Sequence, residues 1–224
     1  HEGRIYELFR FITGKRFDKS NPAASEAGRV LAHFHGLLSN SIEEPVVGVG
    51  TFHDSKQLPE VLKSLSSVLS IREKKSDLEG IDDTIEYLRE QYELSARKVK
   101  NLEWDSLESQ LVHGDWHPGN MLYDDTEIIA VIDFDSLRVQ PRVTDVANGA
   151  LQFSMRMGSA DQVGSWGEGF RGHTIQSLVQ AYDQFSQVPL FPSERAMIPD
   201  LMVEALVVES VIPIWKTGSF GNVV

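Results

Sequence analysis

Leu111-Val112-His113-Gly114-Asp115-Trp116-His117-Pro118-Gly119-Asn120-Met121-Leu122 is followed, a short turn later, by Val131-Ile132-Asp133-Phe134-Asp135. Leu111-Val112 and Met121-Leu122-Tyr123 are short apolar runs, and the residues between them are rich in turn formers. Asp124-Asp125 reads as a turn, and Ile128 to Ile132 as a continuous apolar, mostly β-branched run. The spacing predicts short strands around a loop. Strand ends in a small hairpin sheet hold polar side chains close together. Asp115, Asn120 and Asp133 are therefore expected to face one pocket.

Outside this insert the pattern is helical. Ala27, Val30, Leu31, Phe34 and Leu38 recur at three and four, with Asn21-Pro22 as the expected cap and first helical residue. Leu58 to Leu69 and Ile81 to Leu102 predict two more helices, and helix is expected again over 143–156, 162–186 and 194–216. In the last of these, Pro199 is expected near the start and Pro213 at a kink. Residues 40–56 read as loop, and Arg4 to Ile12, rich in Ile, Tyr and Phe, as a strand. The fold class is α+β and mainly α-helical, with a small β insert carrying the unusual polar residues.

Composition narrows the function. The chain has 224 residues and a net charge of −12, with no long Lys/Arg run, which argues against a nucleic-acid or anionic-membrane partner and leans towards a cationic small molecule. Its acids also read simply as a solvated surface. No cysteine is present, which excludes disulfides, thiol nucleophiles and thiolate metal sites and fits the cytoplasm. No apolar run approaches the ~18 residues of a membrane span.

The polar set suits phosphoryl transfer. Hard Mg²⁺ takes oxygen ligands, which a carboxylate and an amide supply. A further carboxylate, not committed to metal, must orient or accept the proton of the attacking hydroxyl. Asn120 lies five residues after Asp115, and Asp133 eighteen after it.

On His113-Gly114-Asp115-Trp116-His117-Pro118-Gly119-Asn120, Ile132-Asp133-Phe134 and Asp145-Val146-Ala147, the chain resembles the aminoglycoside phosphotransferase/choline kinase superfamily. The resemblance covers about 4–40 and 110–156, including the helix with Gly28, Leu31, His33 and His35. It implies a protein-kinase-like C-terminal lobe over 15–224, with the catalytic and metal loop at 111–135, after a hinge strand at 1–14. It implies ATP and Mg²⁺ as cofactors and a small-molecule hydroxyl as acceptor. Asp115 is then the catalytic, hydroxyl-orienting acid, and Asn120 and Asp133 the Mg²⁺ ligands. Glu7, Leu8 and Phe9 meet adenine through their main chain. Asp145 supports the catalytic loop from the start of a helix, and His113 orders it. Asp135 and His117 are further candidates without a fixed role.

The family's phosphate-covering loop and its lysine have no counterpart in the few residues before Gly14. Gly48-Val49-Gly50 falls after the hinge and reads as ordinary loop, and Lys15 is a poor substitute for the lysine. A longer natural protein is expected, with these residues alone weakly active. The Arg4–Phe11 strand is expected to pair with a second copy or to be poorly ordered.

Bland readings stand beside these. Asp115, Asn120 and Asp133 are also common turn residues. Trp116 is at least as readily a core aromatic as a substrate contact. Asp161, Glu168, Asp183, Glu204 and Glu209 make either an acidic substrate wall or a solvated surface. The alternative function is a non-catalytic kinase-like binding or scaffold module. A metal-dependent hydrolase gives no reason for the Asp-Asn-Asp order.

Overall fold

The computed structural model describes residues 10–39, 52–53, 55–73, 78–158 and 164–218. Helix α1 (Asn21–Leu38) begins where Ser20 Oγ accepts from Ala23 N at 3.2 Å. The cap is thus one residue earlier than expected, because Asp18 Oδ1 in turn accepts from Ser20 N at 2.8 Å and holds the serine in place. The buried face of α1 is small: Ala23, Ala24, Ala27 and Gly28 precede Leu31. That lets α5 (Gly172–Phe185) approach closely. A Cβ on Gly28 would sit 2.1 Å from the Leu178 carbonyl oxygen, so only glycine fits this crossing.

Helices α2 (Leu58–Arg72) and α3 (Ile81–Asn101) follow the apolar spacing. Acidic Asp82 and Asp83 in the first turn of α3, and Lys98 and Lys100 in its last, complement the helix dipole. The β insert comprises two antiparallel pairs rather than one sheet. Strand β2 (Met121–Asp124) pairs with β3 (Glu127–Val131), as the turn at Asp124-Asp125 predicts. Strand β1 (Ser109–Val112) pairs instead with β4 (Arg138–Pro141), which the sequence did not announce: Val139 is its only aliphatic residue besides a terminal proline. Lys15 bridges to β2 through its backbone, with Lys15 N donating to Tyr123 O at 2.7 Å and Tyr123 N to Lys15 O at 2.9 Å.

Helix α4 (Val143–Ser154) is buried along almost its whole length. The helix expected from 162 starts only at Gly172. Gly164, Gly167 and Gly169, the last at φ +72°, lie in the intervening segment and favour irregular backbone over helix. Helix α6 (Pro192–Thr217) runs continuously through both Pro199 and Pro213, so Pro199 lies inside the helix rather than near its start. Each proline removes one backbone donor, and the buried Ile198, Leu201 and Met202 hold the helix around the first gap.

Two apolar cores result. The larger gathers α1, α4, α5, the N-terminal half of α6 and the β insert around Leu31, Trp116, Tyr123, Phe153 and Leu201. The smaller packs α2 and α3 on the C-terminal half of α6 through Leu58, Leu62, Leu65, Tyr92, Val207 and Val211. Residues 10–12 form no strand, and Phe11 is 87% exposed. The expected hinge contacts at Glu7, Leu8 and Phe9, the self-association through that strand and the Gly48–Gly50 loop lie outside the described residues. Among the described residues, no helix is long and apolar enough to cross a membrane.

Candidate active site

The loop between β1 and β2 is fixed from beneath by Asp145, in the first turn of α4. Its Oδ2 accepts from His113 N at 2.7 Å and its Oδ1 from Gly114 N at 2.8 Å. His35 of α1 contacts the same carboxylate, with Nε2 3.1 Å from Oδ2, while its Nδ1 lies 2.9 Å from the Tyr182 hydroxyl of α5. Asp145 and His35 are both fully buried, so a four-element network ends on the backbone of the loop. Gly114 adopts φ +77°, and a Cβ there would meet the Ser136 carbonyl oxygen at 2.3 Å. Trp116 is part of the core. His113 is enclosed by Phe34, Trp116 and Phe134, and burial lowers its pKa against the pull of Asp145, which favours the neutral ring.

Above this floor, Asp115 and Asn120 touch. Asn120 Nδ2 donates to the Asp115 carbonyl oxygen at 3.0 Å and to its Oδ2 at 3.2 Å. With the amide nitrogen so engaged, the planar amide directs Oδ1 away from Asp115. Ile132 N donates to Asn120 O at 2.9 Å, which sets the end of β3 beside Asn120. The next residue, Asp133, is exposed and takes a left-handed backbone at φ +64°, an uncommon conformation for a non-glycine residue. Asp135 is exposed in the turn that follows, which Leu137 N closes on Phe134 O at 3.1 Å. Asn120 Oδ1 and the Asp133 carboxylate are hard oxygen donors that suit Mg²⁺. Two protein ligands of this kind are what Mg²⁺ takes when phosphate oxygens and water complete its shell. Among the described residues, no cluster of three His, Cys, Asp or Glu side chains is placed to bind a metal unaided.

His117 stands at the open side of Asp115, its Nε2 3.4 Å from Oδ2. Burial opposes ionisation of both partners. The proximity of the two outweighs it, so the Asp115 pKa is lowered and that of His117 raised. Asn120 donation adds to the effect on Asp115, and the charges of Glu209 and Asp133 add to that on His117.

Glu209 belongs to this site although no local motif marks it. It reaches from α6, where Gln152 Nε2 of α4 donates to its Oε2 at 2.6 Å. Burial pushes its pKa up to about 7, the Gln152 hydrogen bond opposes this, and the charge of Asp115 adds to it. Of the other acids, Glu204 pairs with His53 in the interior and Asp183 pairs with Arg195, so neither joins it in a wall, and Asp161 lies outside the described residues. A folded-state pKa above the unfolded value means that the contribution of Glu209 to stability is fully present below about pH 4.5 and is lost as pH rises through about 7. Glu209→Gln should therefore be near neutral at pH 5 and stabilising at pH 8, by at most about 3 kcal/mol. Denaturant unfolding at the two pH values checks this, and an equal effect at both removes the assignment.

The loop thus carries a carboxylate and an amide, is tied down by a buried aspartate, and is followed after the next hairpin by a second carboxylate. The family model described as the phosphotransferase enzyme family (APH) matches residues 1–187, and the chain belongs to that family. Among solved structures, choline kinase from Cryptosporidium parvum Iowa II superposes with a TM-score of 0.56 at 14% identity, over 92% of this chain and 63% of that one. Macrolide 2'-phosphotransferase MphH from Brachybacterium faecium does so with 0.52 at 15%, over 93% and 64%. The amicoumacin kinase hAmiN gives 0.52 at 18%, over 89% and 55%. The chain thus shares their fold and spans less than two thirds of the length of each. No curated protein matches it.

Proposed function

We propose that the protein is an ATP-dependent phosphotransferase that moves the γ-phosphate to a hydroxyl of a small molecule, with residues 15–224 forming its helical C-terminal lobe. The observation that carries this reading is the state of Asp115. Its Oδ2 is held by Asn120, and its Oδ1 accepts from no group among the described residues. An acceptor hydroxyl can hydrogen-bond that oxygen and be aimed by it, and the lowered pKa keeps it anionic. Asn120 and Asp133 would hold Mg²⁺, whose charge offsets that of the phosphates. The amicoumacin kinase of the same fold was solved with AMP-PNP, an ATP analogue, and Ca²⁺, which supports ATP and a divalent cation here. The net charge of −12 supports an amine-bearing acceptor, and ATP supply supports a cytoplasmic location.

The test uses the natural gene product that contains these residues. ADP release is followed with Mg²⁺-ATP across a panel of amino alcohols, aminoglycosides and neutral polyols. The expected result is release that requires both the metal and an acceptor. No release with any acceptor, together with no rise in melting temperature on adding Mg²⁺-ATP, supports the non-catalytic module instead.

A further inference from the structure

His117 lies within the loop, yet the reaction assigned above leaves it without a task. Its geometry is specific. Gly119 N donates to His117 Nδ1 at 2.9 Å. A backbone N–H can only donate, so Nδ1 is the acceptor nitrogen and the ring proton resides on Nε2. Nε2 is the atom that faces Asp115 Oδ2, at 3.4 Å. At that distance the contact is electrostatic rather than a formed hydrogen bond, as is common at catalytic groups before substrate draws them together. Glycine at 119 is part of the device: a Cβ there would lie 2.5 Å from His117 Cε1 and 2.9 Å from Nδ1, so any larger residue displaces the ring. A second proton on Nδ1 would face the Gly119 N–H, which opposes the charge that Asp115, Glu209 and Asp133 favour.

We propose that His117 is a positioning residue for Asp115. As the neutral Nε2–H tautomer it closes on Oδ2 beside Asn120 when the acceptor binds, so the rotamer of the carboxylate is then set from two sides and Oδ1 is the oxygen presented to the acceptor hydroxyl. This rests on the phosphotransferase reading for its consequence in rate, but not for its geometry. His117 takes no proton from Asp115, because its Nε2 already bears one.

Two measurements on the natural gene product separate the inference from that reading. In the first, His117→Leu lowers kcat about 10- to 100-fold with the KM for ATP unchanged, as loss of an orienting partner does. His117→Gln, whose Nε2 can donate to the same oxygen, restores most of the loss. A Leu variant within about threefold of wild type, or a Gln variant as slow as Leu, overturns the proposal. In the second, ¹⁵N NMR of the imidazole reports the Nε2–H tautomer, and Asp115→Asn shifts the Nε2–H resonance. An Nδ1–H tautomer, or an Nε2–H resonance indifferent to Asp115→Asn, overturns the proposal even in an active enzyme. If the protein transfers no phosphate at all, the kinetic arm fails with the phosphotransferase reading, and the NMR arm still decides whether His117 holds Asp115.

Discussion

Asp115→Asn in the natural gene product is expected to lower kcat by a factor of about 10²–10⁴, with the KM for ATP and the melting temperature close to wild type. The amide is nearly isosteric, and its oxygen can occupy the place of Oδ2, where Asn120 donates. Its NH₂ group then falls where Oδ1 stood. A donor replaces the acceptor that the attacking hydroxyl needs, and the negative charge is gone. Asn120 and Asp133 are untouched, so nucleotide binding has no reason to weaken. Steady-state kinetics with both substrates varied checks this. A variant as active as wild type would mean that some other group orients the hydroxyl.

The second large effect falls on stability. Asp145→Ala removes the acceptor for His113 N, Gly114 N and the His35 ring in one step. The resulting buried, unpaired donors should cost about 3–5 kcal/mol, and the melting temperature should fall by about 10 °C. Asp145→Asn should recover little of this. One of its two amide positions must present a donor to a backbone N–H. Thermal unfolding measures both variants, and a loss below about 1 kcal/mol for Asp145→Ala would mean that the loop is held by its own turns rather than by α4.

How much of this was legible depended on sequence distance. Helices α1, α2 and α3 declare themselves because one face of each is repeatedly apolar. Asp115 and Asn120 are separated only by a compact turn, so their contact could be read from the spacing. Strand β4 is too short and too polar to carry a period, and its pairing with β1 is a tertiary fact. The start of α5, at Gly172 rather than 162, is not legible because Gly164, Gly167 and Gly169 leave the segment before it without a helical phase. His35 reads as one more residue on the packed face of α1. Its partner Asp145 is 110 positions away, and nothing local distinguishes a ligand of that carboxylate from packing. Glu209 is the clearest case. In the sequence it is one of five acids of equal standing, and only the fold of α6 brings it near Asp115 and His117.

The path of α6 through both cores has a mechanical meaning. One end is locked in the core beneath the β1–β2 loop, and the other is the seat of the α2–α3 pair. Glu209 sits on the second half of this rod. The carboxylate of Glu209 is thus placed by the smaller core as well as by its hydrogen bond from Gln152, so a packing change under α2 and α3 is also a change in the surroundings of Asp115.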